Sequence, residues 1–266
     1  MTDLKTIADF DDQWSRFSGN SGFYASKELF EDIVSPFVTP EDLRNKTVVE
    51  IGSGTGRIVN MLLACGAGKV YAVEPGPSAF AALKRNTQAQ SARIVYLNAM
   101  GEDLPRGLQA DFVFSIGVIH HIPRPEATLR GCFEALRPGG KCLIWLYGKE
   151  GNELLLAFLG PLRRLTVRLP HAALAAICHV LNALLDVHIA LCRWLPLPLR
   201  DYALNVIGRM SRDKRYLVIY DQLNPAYAKY YLRDEAERLL MDAGFADIRL
   251  HHRRGYSWTV IGTRPA

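Results

Sequence analysis

The feature that most constrains the fold is an apolar strand that runs directly into a glycine-rich turn and then into a helix. Residues 46–51 are β-branched and apolar apart from Lys46 and Glu50, residues 52–56 read GSGTG, and apolar positions recur with helical spacing over residues 55–65. Glycines in such a turn let backbone N–H groups approach a ligand closely at an electropositive helix N-terminus. The pattern predicts an α/β domain with a ligand site at the end of its first strand.

Strand and helix patterns then alternate along the chain. Further strands are predicted over residues 70–73, 93–97, 111–116 and 141–147, with helices over residues 77–88 and 126–136. Such alternation favours a parallel sheet with right-handed crossovers. A long stretch without strand signals follows, and the α/β pattern returns with a helix over 235–243 and strands over 246–251 and 257–263. We therefore predict an N-terminal helical cap (1–45), a core (46–148 and 232–266) and a helical insertion (149–231).

Composition sets few limits on partners. The 266 residues carry 32 Lys plus Arg and 27 Asp plus Glu, and this scattered excess of +5 does not require a nucleic-acid partner, so we expect none. The five cysteines form no C-x-x-C pair, which favours reduced thiols in a cytoplasmic protein and disfavours a zinc site. The first residues, MTDLKTIADFDD, lack the pattern of a signal peptide.

The insertion is unusually apolar. Residues 169–185 contain no Asp, Glu, Lys or Arg, although Pro170, His171, His179 and Asn182 interrupt them and Asp186 ends the run. A membrane span needs about 20 predominantly apolar residues, so a buried helical insertion is the leading interpretation. A membrane-surface helix, a homodimer interface and a cover for a greasy substrate remain open.

The glycine turn alone does not identify the ligand, because NAD enzymes use a similar one. Their G-x-G-x-x-G/A fingerprint fails here, since Arg57 stands three residues after Gly54. Glu50 precedes the first glycine by two residues, and Glu74 ends the second strand, where a carboxylate can accept both ribose hydroxyls of a nucleoside. These two acids favour a nucleoside-containing cofactor other than NAD.

The sequence resembles the class I S-adenosylmethionine-dependent methyltransferases, particularly their broad small-molecule group. The matching stretches, in the family's order and spacing, are VVEIGSGTGR (48–57), VYAVEP (70–75), GEDLP (101–105), DFVFSIGVIHHI (111–122) and LRPGGKCLIWLYG (136–148). The resemblance implies a Rossmann-like, seven-stranded, mostly parallel sheet in the order 3-2-1-4-5-7-6 with helices on both faces. It also implies S-adenosylmethionine as cofactor and S-adenosylhomocysteine as product.

The resemblance assigns cofactor contacts to matching positions. Gly52, Ser53, Gly54 and Gly56 would wrap the methionine part, and Glu50 would orient its amino group or the turn. Glu74 would hold the ribose with Pro75 beside the adenine. The adenine region would also include Met100, Gly101 and Glu102, although Met100 stands where family members carry an acidic residue that contacts the adenine amino group. Ser115, Ile116 and Gly117 would line the site after the fourth strand.

Candidate catalytic groups lie on the acceptor side. His120 and His121 follow the fourth strand, and a histidine that titrates near neutral pH can serve as general base, with His121 the stronger candidate. Tyr220 and Asp221 lie in the tyrosine-rich segment 216–231, where buried Asp221 and Asn224 would need polar partners. Substrate contacts are predicted for Trp14, Tyr24, Tyr147 and Asn152. No metal site is expected, since neighbouring His120 and His121 would point apart.

These observations predict a methyltransferase that acts on a small, apolar acceptor, with O-methylation favoured over N- or C-methylation. Two alternatives remain open at this point. One is a membrane-surface enzyme that methylates lipid headgroups, and the other is a non-catalytic cofactor-binding module.

Overall fold

A computed structural model describes residues 2–167 and 169–266, apart from the side chains of residues 2 and 3. Seven strands form one sheet. They are β1 Thr47–Ile51, β2 Lys69–Val73, β3 Ile94–Leu97, β4 Ala110–Ile116, β5 Leu136–Tyr147, β6 Ala246–Arg253 and β7 Ser257–Thr263.

The strand order is β3-β2-β1-β4-β5-β7-β6. The pairs among β1 to β5 are parallel, whereas β7 runs antiparallel to both β5 and β6. The predicted fold class is therefore confirmed, including the mostly parallel sheet and its order. The order reverses beside β1, and open parallel sheets bind ligands at the carboxyl ends of strands near such a point.

The central strands are buried on both faces, which explains their nearly continuous apolar sequences. Val48 and Phe114 pack into a cluster on one side of the sheet, and Val49 and Val113 pack into a second cluster on the other side. This alternation follows from the two-residue period of a strand. It places successive side chains of β1 and β4 in different layers.

Helices cover both faces of the sheet and fill the segment between β5 and β6. They are α1 Thr2–Arg16, α2 Lys27–Val34, α3 Pro40–Leu43, α4 Arg57–Ala64, α5 Pro77–Asn86, α6 Glu126–Ala135, α7 Glu153–Thr166, α8 His171–Cys192, α9 Arg200–Asn205, α10 Arg212–Leu223 and α11 Arg233–Asp242. Helices α7 to α10 lie in the insertion, where a small cluster forms around the buried Leu174, Tyr220 and Leu223.

Helix α8 is the one helix in the described part of the chain that is long and apolar enough to cross a membrane, judged by length and composition. It spans 22 residues, and only 22% of its most apolar window is buried inside the protein. Most of its apolar surface therefore faces outward.

Candidate active site

A cavity of about 900 Å³ opens at the carboxyl ends of the parallel strands. Its core-side wall includes the glycine turn after β1, Glu74 after β2 and the residues that follow β4, and α1 covers it with Phe10 and Trp14. The cavity continues between helices of the insertion. One space therefore connects the predicted cofactor site with the apolar segment 149–231.

The glycine turn adopts a backbone that side chains would disturb. Gly52, Gly54 and Gly56 all have positive φ, at 70°, 51° and 85°. A Cβ added to Gly52 would lie 2.4 Å from Val118 Cγ2, a separation that would force the two segments apart. Only glycine adopts such angles readily, so backbone atoms rather than side chains form this part of the cavity wall.

Glu74 lies at the inner end of this turn. Its carboxylate oxygens accept hydrogen bonds from the N–H groups of Gly54 at 2.8 Å and Gly76 at 2.9 Å. The side chain is 8% exposed and lines the cavity. Burial raises its pKa to about 7, while the two N–H donors act in the opposite direction. The arrangement fixes a carboxylate where a pair of hydroxyl donors can reach it.

Asp11 holds α1, the helix that lies over the cavity, against α5. The sequence patterns did not identify this residue. Its Oδ1 accepts hydrogen bonds from the N–H groups of Ser78 at 2.7 Å and Ala79 at 3.0 Å. These donors belong to the first turn of α5, which has no side-chain cap of its own. An aspartate 67 residues upstream of the capped turn carries no local sequence signal, so only the fold reveals the contact.

His121 presents one ring nitrogen without a partner. Its Nδ1 lies 2.9 Å from the Tyr227 carbonyl oxygen, and a carbonyl can only accept, so Nδ1 carries the proton in the neutral ring. Nε2 then holds a lone pair, is buried, and has no hydrogen-bond partner among the described residues. Burial lowers the pKa of His121, which keeps the ring neutral. The ring lines the cavity, with Phe10 against it at 4.7 Å between centroids.

Asp221 lines the cavity on the insertion side and is held from two directions. Gln13 Nε2 donates to its Oδ1 at 3.0 Å, and Tyr147 Oη donates to its Oδ2 at 2.9 Å. Asn224 Nδ2 donates in turn to the Asp9 carbonyl at 3.1 Å. The polar partners expected for Asp221 and Asn224 therefore come from α1 and from the end of β5.

Five predicted site residues lie outside the cavity lining: Glu50, Gly56, Ser115, His120 and Tyr220. Glu50 and Ser115 are mid-sheet positions whose side chains enter the packed layers, and both are fully buried without a hydrogen-bond partner among the described residues. Burial raises the pKa of Glu50 to about 8. His120 stacks on Tyr147 at 3.8 Å, and Tyr220 Oη bonds His171 Nδ1 at 2.9 Å.

The corrections have a common physical reason. Neighbouring residues point in different directions, so His121 faces the cavity while His120 packs behind it, and Asp221 faces it while Tyr220 packs into the insertion. In this geometry His120 and Tyr220 do not reach the space for an acceptor. Glu50 and Ser115 likewise do not reach the space for the cofactor.

The remaining predicted residues line the cavity. They are Trp14, Tyr24, Gly52, Ser53, Gly54, Glu74, Pro75, Met100, Gly101, Glu102, Ile116, Gly117, His121, Tyr147, Asn152 and Asp221. Gly56 lies just behind this wall at the N-terminus of α4, and Asn152 donates to the Gly148 and Tyr256 carbonyls at 2.8 and 2.7 Å. Among the described residues no group of three His, Cys, Asp or Glu is placed to hold a metal ion.

Comparison with known proteins adds independent findings. Residues 49–144 match a family model described as a methyltransferase domain. Two proteins named tRNA U34 carboxymethyltransferase are similar to part of this chain: that of Shewanella frigidimarina is 35% identical over 126 residues, and that of Hahella chejuensis is 35% identical over 124 residues. The matches cover 46% and 45% of this chain and 37% of each relative, so the chain corresponds to well under half of those proteins.

Solved structures share the fold. An O-methyltransferase family protein from Burkholderia thailandensis superposes with a TM-score of 0.57 at 15% identity, covering 97% of this chain and 59% of the other. Magnesium protoporphyrin IX methyltransferase from Synechocystis PCC 6803, solved with bound S-adenosylhomocysteine, gives 0.56 at 15% identity and covers 95% and 93%.

The relatives correct one prediction. We expected no nucleic-acid partner from the modest net charge, but proteins named for a tRNA position are 35% identical to this chain over nearly half of its length. The exclusion is wrong, because net charge reports poorly on a surface that only part of a protein supplies. Three findings indicate the same kind of protein. They are the match to a methyltransferase domain, the glycine turn with acidic residues at the strand ends, and the order of the strands in the sheet. Residues 49–144 are therefore a methyltransferase domain, and the sheet around them has the fold of class I S-adenosylmethionine-dependent methyltransferases.

Proposed function

We propose that this enzyme methylates an apolar small molecule, at a hydroxyl oxygen, with His121 as general base. One observation carries the proposal. The cavity that holds Glu74 and the glycine turn at one end is continuous with apolar side chains of the insertion at the other, and the unpartnered Nε2 of His121 belongs to the same cavity.

The core residues fit the adenosine cofactor. Glu74 offers two carboxylate oxygens to ribose hydroxyls, and the positive-φ turn lets its backbone approach the methionine part closely, with no side chain between them. Trp14 Nε1 would lie 3.5 Å from a Cβ placed on Gly54, so α1 closes over the turn. When bound, the sulfonium of this cofactor supplies an electrophilic methyl group.

The protein's tasks are then alignment and proton removal. His121 Nε2 accepts the hydroxyl proton of the acceptor, which frees the oxygen to form the new bond to carbon. The resulting imidazolium is stabilised by the Tyr227 carbonyl at Nδ1 and by the negative charge of Asp221. Gln13 and Tyr147 hold Asp221 in place for this purpose.

The acceptor end of the cavity favours an apolar molecule. Its walls there include Leu159, Leu181, Leu185 and Val218, with Asp221 and His121 as convergent polar groups. Concave sites with an apolar lining and few polar groups bind apolar ligands and orient them through those groups. This is the composition that a hydroxylated, largely hydrocarbon acceptor requires.

A tRNA nucleoside is the second candidate acceptor. The named relatives support it, since they are 35% identical to this chain over 126 and 124 residues. The insertion lies outside residues 49–144, the part that matches the methyltransferase family model. For the apolar acceptor the insertion would select the substrate. For the tRNA nucleoside the selecting region would be the methyltransferase domain that matches the family model.

A labelled-methyl assay separates them. The enzyme and [methyl-³H]S-adenosylmethionine are incubated with a total lipid extract, with bulk tRNA and with water-soluble metabolites, and each pool is counted after extraction. We expect label in the organic phase and its loss with His121→Ala. Label confined to tRNA would replace the first candidate with the second. Cofactor binding without transfer to any pool would favour a non-catalytic module and overturn both.

A further inference from the structure

The exposed apolar residues of this protein are concentrated on one side. Fourteen large apolar residues are exposed among those described, and eleven of them lie between residues 154 and 195. Most surfaces expose such residues singly, so a concentration of this size marks a contact face.

Helix α8 carries a continuous outward stripe. Six of its exposed positions recur every three or four residues and are apolar, and Trp194 continues the spacing just beyond the helix: Ala172, Ala176, Val180, Ala183, Val187 and Ala190. His179 is the exposed polar residue of the helix. At 1.5 Å per residue the helix is about 33 Å long. Val180, Val187 and Trp194 are 61%, 57% and 86% exposed, although a water-facing helix normally presents polar residues there.

The other face of α8 belongs to the protein. Leu174, Cys178 and Asn182 are buried, and Asn182 Nδ2 donates to the Arg212 carbonyl at 2.9 Å. Lipid cannot surround α8 while these contacts hold. A helix with one face in the protein and one apolar face outward is suited to lie along a bilayer surface.

The positive charge of the same segment also favours contact with a bilayer surface. Residues 154–200 contain five arginines and one acidic residue, Asp186, which is paired with Arg212 and Arg215. Arg164 and Arg193 are exposed beside the apolar face. Basic side chains next to a surface-lying helix are attracted to anionic headgroups. In a symmetric dimer the same excess of arginines would meet itself.

The cavity opens onto this face. Leu154 and Phe158 of α7 and Leu184 of α8 line the cavity and are also 74%, 56% and 60% exposed. Residues that are both lining and exposed mark a mouth, and on the side of the insertion its rim combines these three apolar residues with Glu153. A second copy of the chain on this face would block the opening of the cavity. A bilayer would instead supply apolar acceptor molecules through that opening.

We infer that α7, α8 and Trp194 form a surface that docks on an anionic lipid bilayer, with the cavity mouth turned toward the hydrocarbon. Docking itself is independent of the chemistry, and only the delivery of a bilayer-dissolved acceptor rests on the proposed function. The enzyme would then take its acceptor from the membrane without passage through water.

Vesicle sedimentation with the full-length protein tests the docking. The probes are phosphatidylcholine vesicles with and without phosphatidylglycerol. The variant Val180→Gln/Val187→Gln/Trp194→Gln removes outward apolar groups that do not line the cavity. The matched control, Leu4→Gln/Met241→Gln, removes exposed apolar groups elsewhere, and Arg164→Gln/Arg193→Gln tests the charge.

We expect binding to the anionic vesicles, a loss of about tenfold or more in the partition coefficient of the triple variant, and a change within twofold for the control. The partition coefficient of the arginine variant should fall about tenfold, and its vesicle binding should become less sensitive to salt. S-adenosylhomocysteine binding, which uses the core, verifies that each variant is folded. Triple-variant binding equal to wild type, no vesicle binding at all, or a stable dimer that the triple variant dissociates would each overturn the docking surface. Normal docking without label in lipid would refute only the proposed acceptor.

Discussion

The core and the insertion of this protein treat apolar residues in opposite ways. In the core, Val48, Val49, Val113 and Leu143 are fully buried between layers of helices. In the insertion, α8 is more apolar than any core helix but turns Val180, Val187 and Leu184 outward. The difference teaches that the core buries its apolar residues within the fold, whereas the insertion adds Ile189, Ile207 and Leu217 to the core cluster and leaves another apolar face free for a partner. Cofactor chemistry should therefore depend on the first region and acceptor selection on the second.

The largest effect is expected from Glu74→Ala. Removal of the carboxylate that Gly54 and Gly76 hold should weaken S-adenosylmethionine binding about a thousandfold, since hydrogen bonds to a charged group contribute about 1.5–3 kcal/mol each. Equilibrium dialysis with labelled cofactor measures it. Val187→Gln in the insertion is the control and should leave the affinity unchanged. An equal loss of cofactor affinity in both variants would contradict the assignment of cofactor binding to the core.

His121→Ala should lower turnover about a hundredfold, the lower end for loss of a general base. Cofactor affinity should change by less than about threefold, because Nε2 faces the acceptor side and Nδ1 is occupied by Tyr227. Single-turnover kinetics separates the two effects. His251→Ala, on a strand away from the cavity, is the matched control. A parallel loss of affinity and turnover would make His121 a structural residue.

The buried Glu50 predicts a pH-dependent stability that belongs to the core alone. Its pKa is raised from 4.5 to about 8, so the folded state binds more protons than the unfolded state between these values. The stabilising proton is fully present below about pH 4.5 and is lost as the pH rises through about 8. We expect Glu50→Gln to reduce the fall in unfolding free energy across this range by up to about 5 kcal/mol.

Urea unfolding at several pH values measures this change. Glu74, with its pKa near 7, contributes a smaller decline of the same sign that persists in Glu50→Gln. The insertion variant Val187→Gln should keep the full wild-type slope. The buried His120 and His121, whose pKa values are lowered, add a rise below about pH 6.5 that both proteins share. The same pH dependence in wild type and Glu50→Gln would contradict the buried, protonated state of Glu50.

Tyr147→Phe should have the smallest effect. It removes the hydroxyl that donates to Asp221 and leaves Gln13 as the remaining side-chain donor. We expect turnover to fall about fivefold with unchanged cofactor affinity, which corresponds to one hydrogen bond of about 1 kcal/mol. Steady-state kinetics with an identified acceptor measures it. No change would show that Asp221 needs only Gln13.

Sequence reasoning reached most of the core and little of the insertion. The strand-turn-helix pattern around residues 46–65 is local, so periodicity and glycine spacing suffice to place Gly52, Gly54 and Glu74 at one edge. Strand bounds agree within a residue except in β5, which begins five residues early at Leu136, and β6, which extends to Arg253.

The remaining site residues depend on contacts between distant segments. Asp11 meets α5 and Gln13 meets Asp221, pairs separated by 67 and 208 residues, and no local pattern encodes either. Likewise, sequence could not tell which of His120 and His121 faces the cavity, because direction in a short turn is set by packing against Tyr147. The outward apolar face of α8 was read as buried for the same reason.

Calorimetric titration of the wild-type protein with S-adenosylmethionine, S-adenosylhomocysteine and NAD tests most directly that the core is a self-sufficient cofactor site. We expect both adenosyl compounds to bind at one site per chain with micromolar affinity in the absence of acceptor or lipid, and NAD not to bind. Binding that appears only when lipid or an acceptor is added would contradict a cofactor site that the core completes alone.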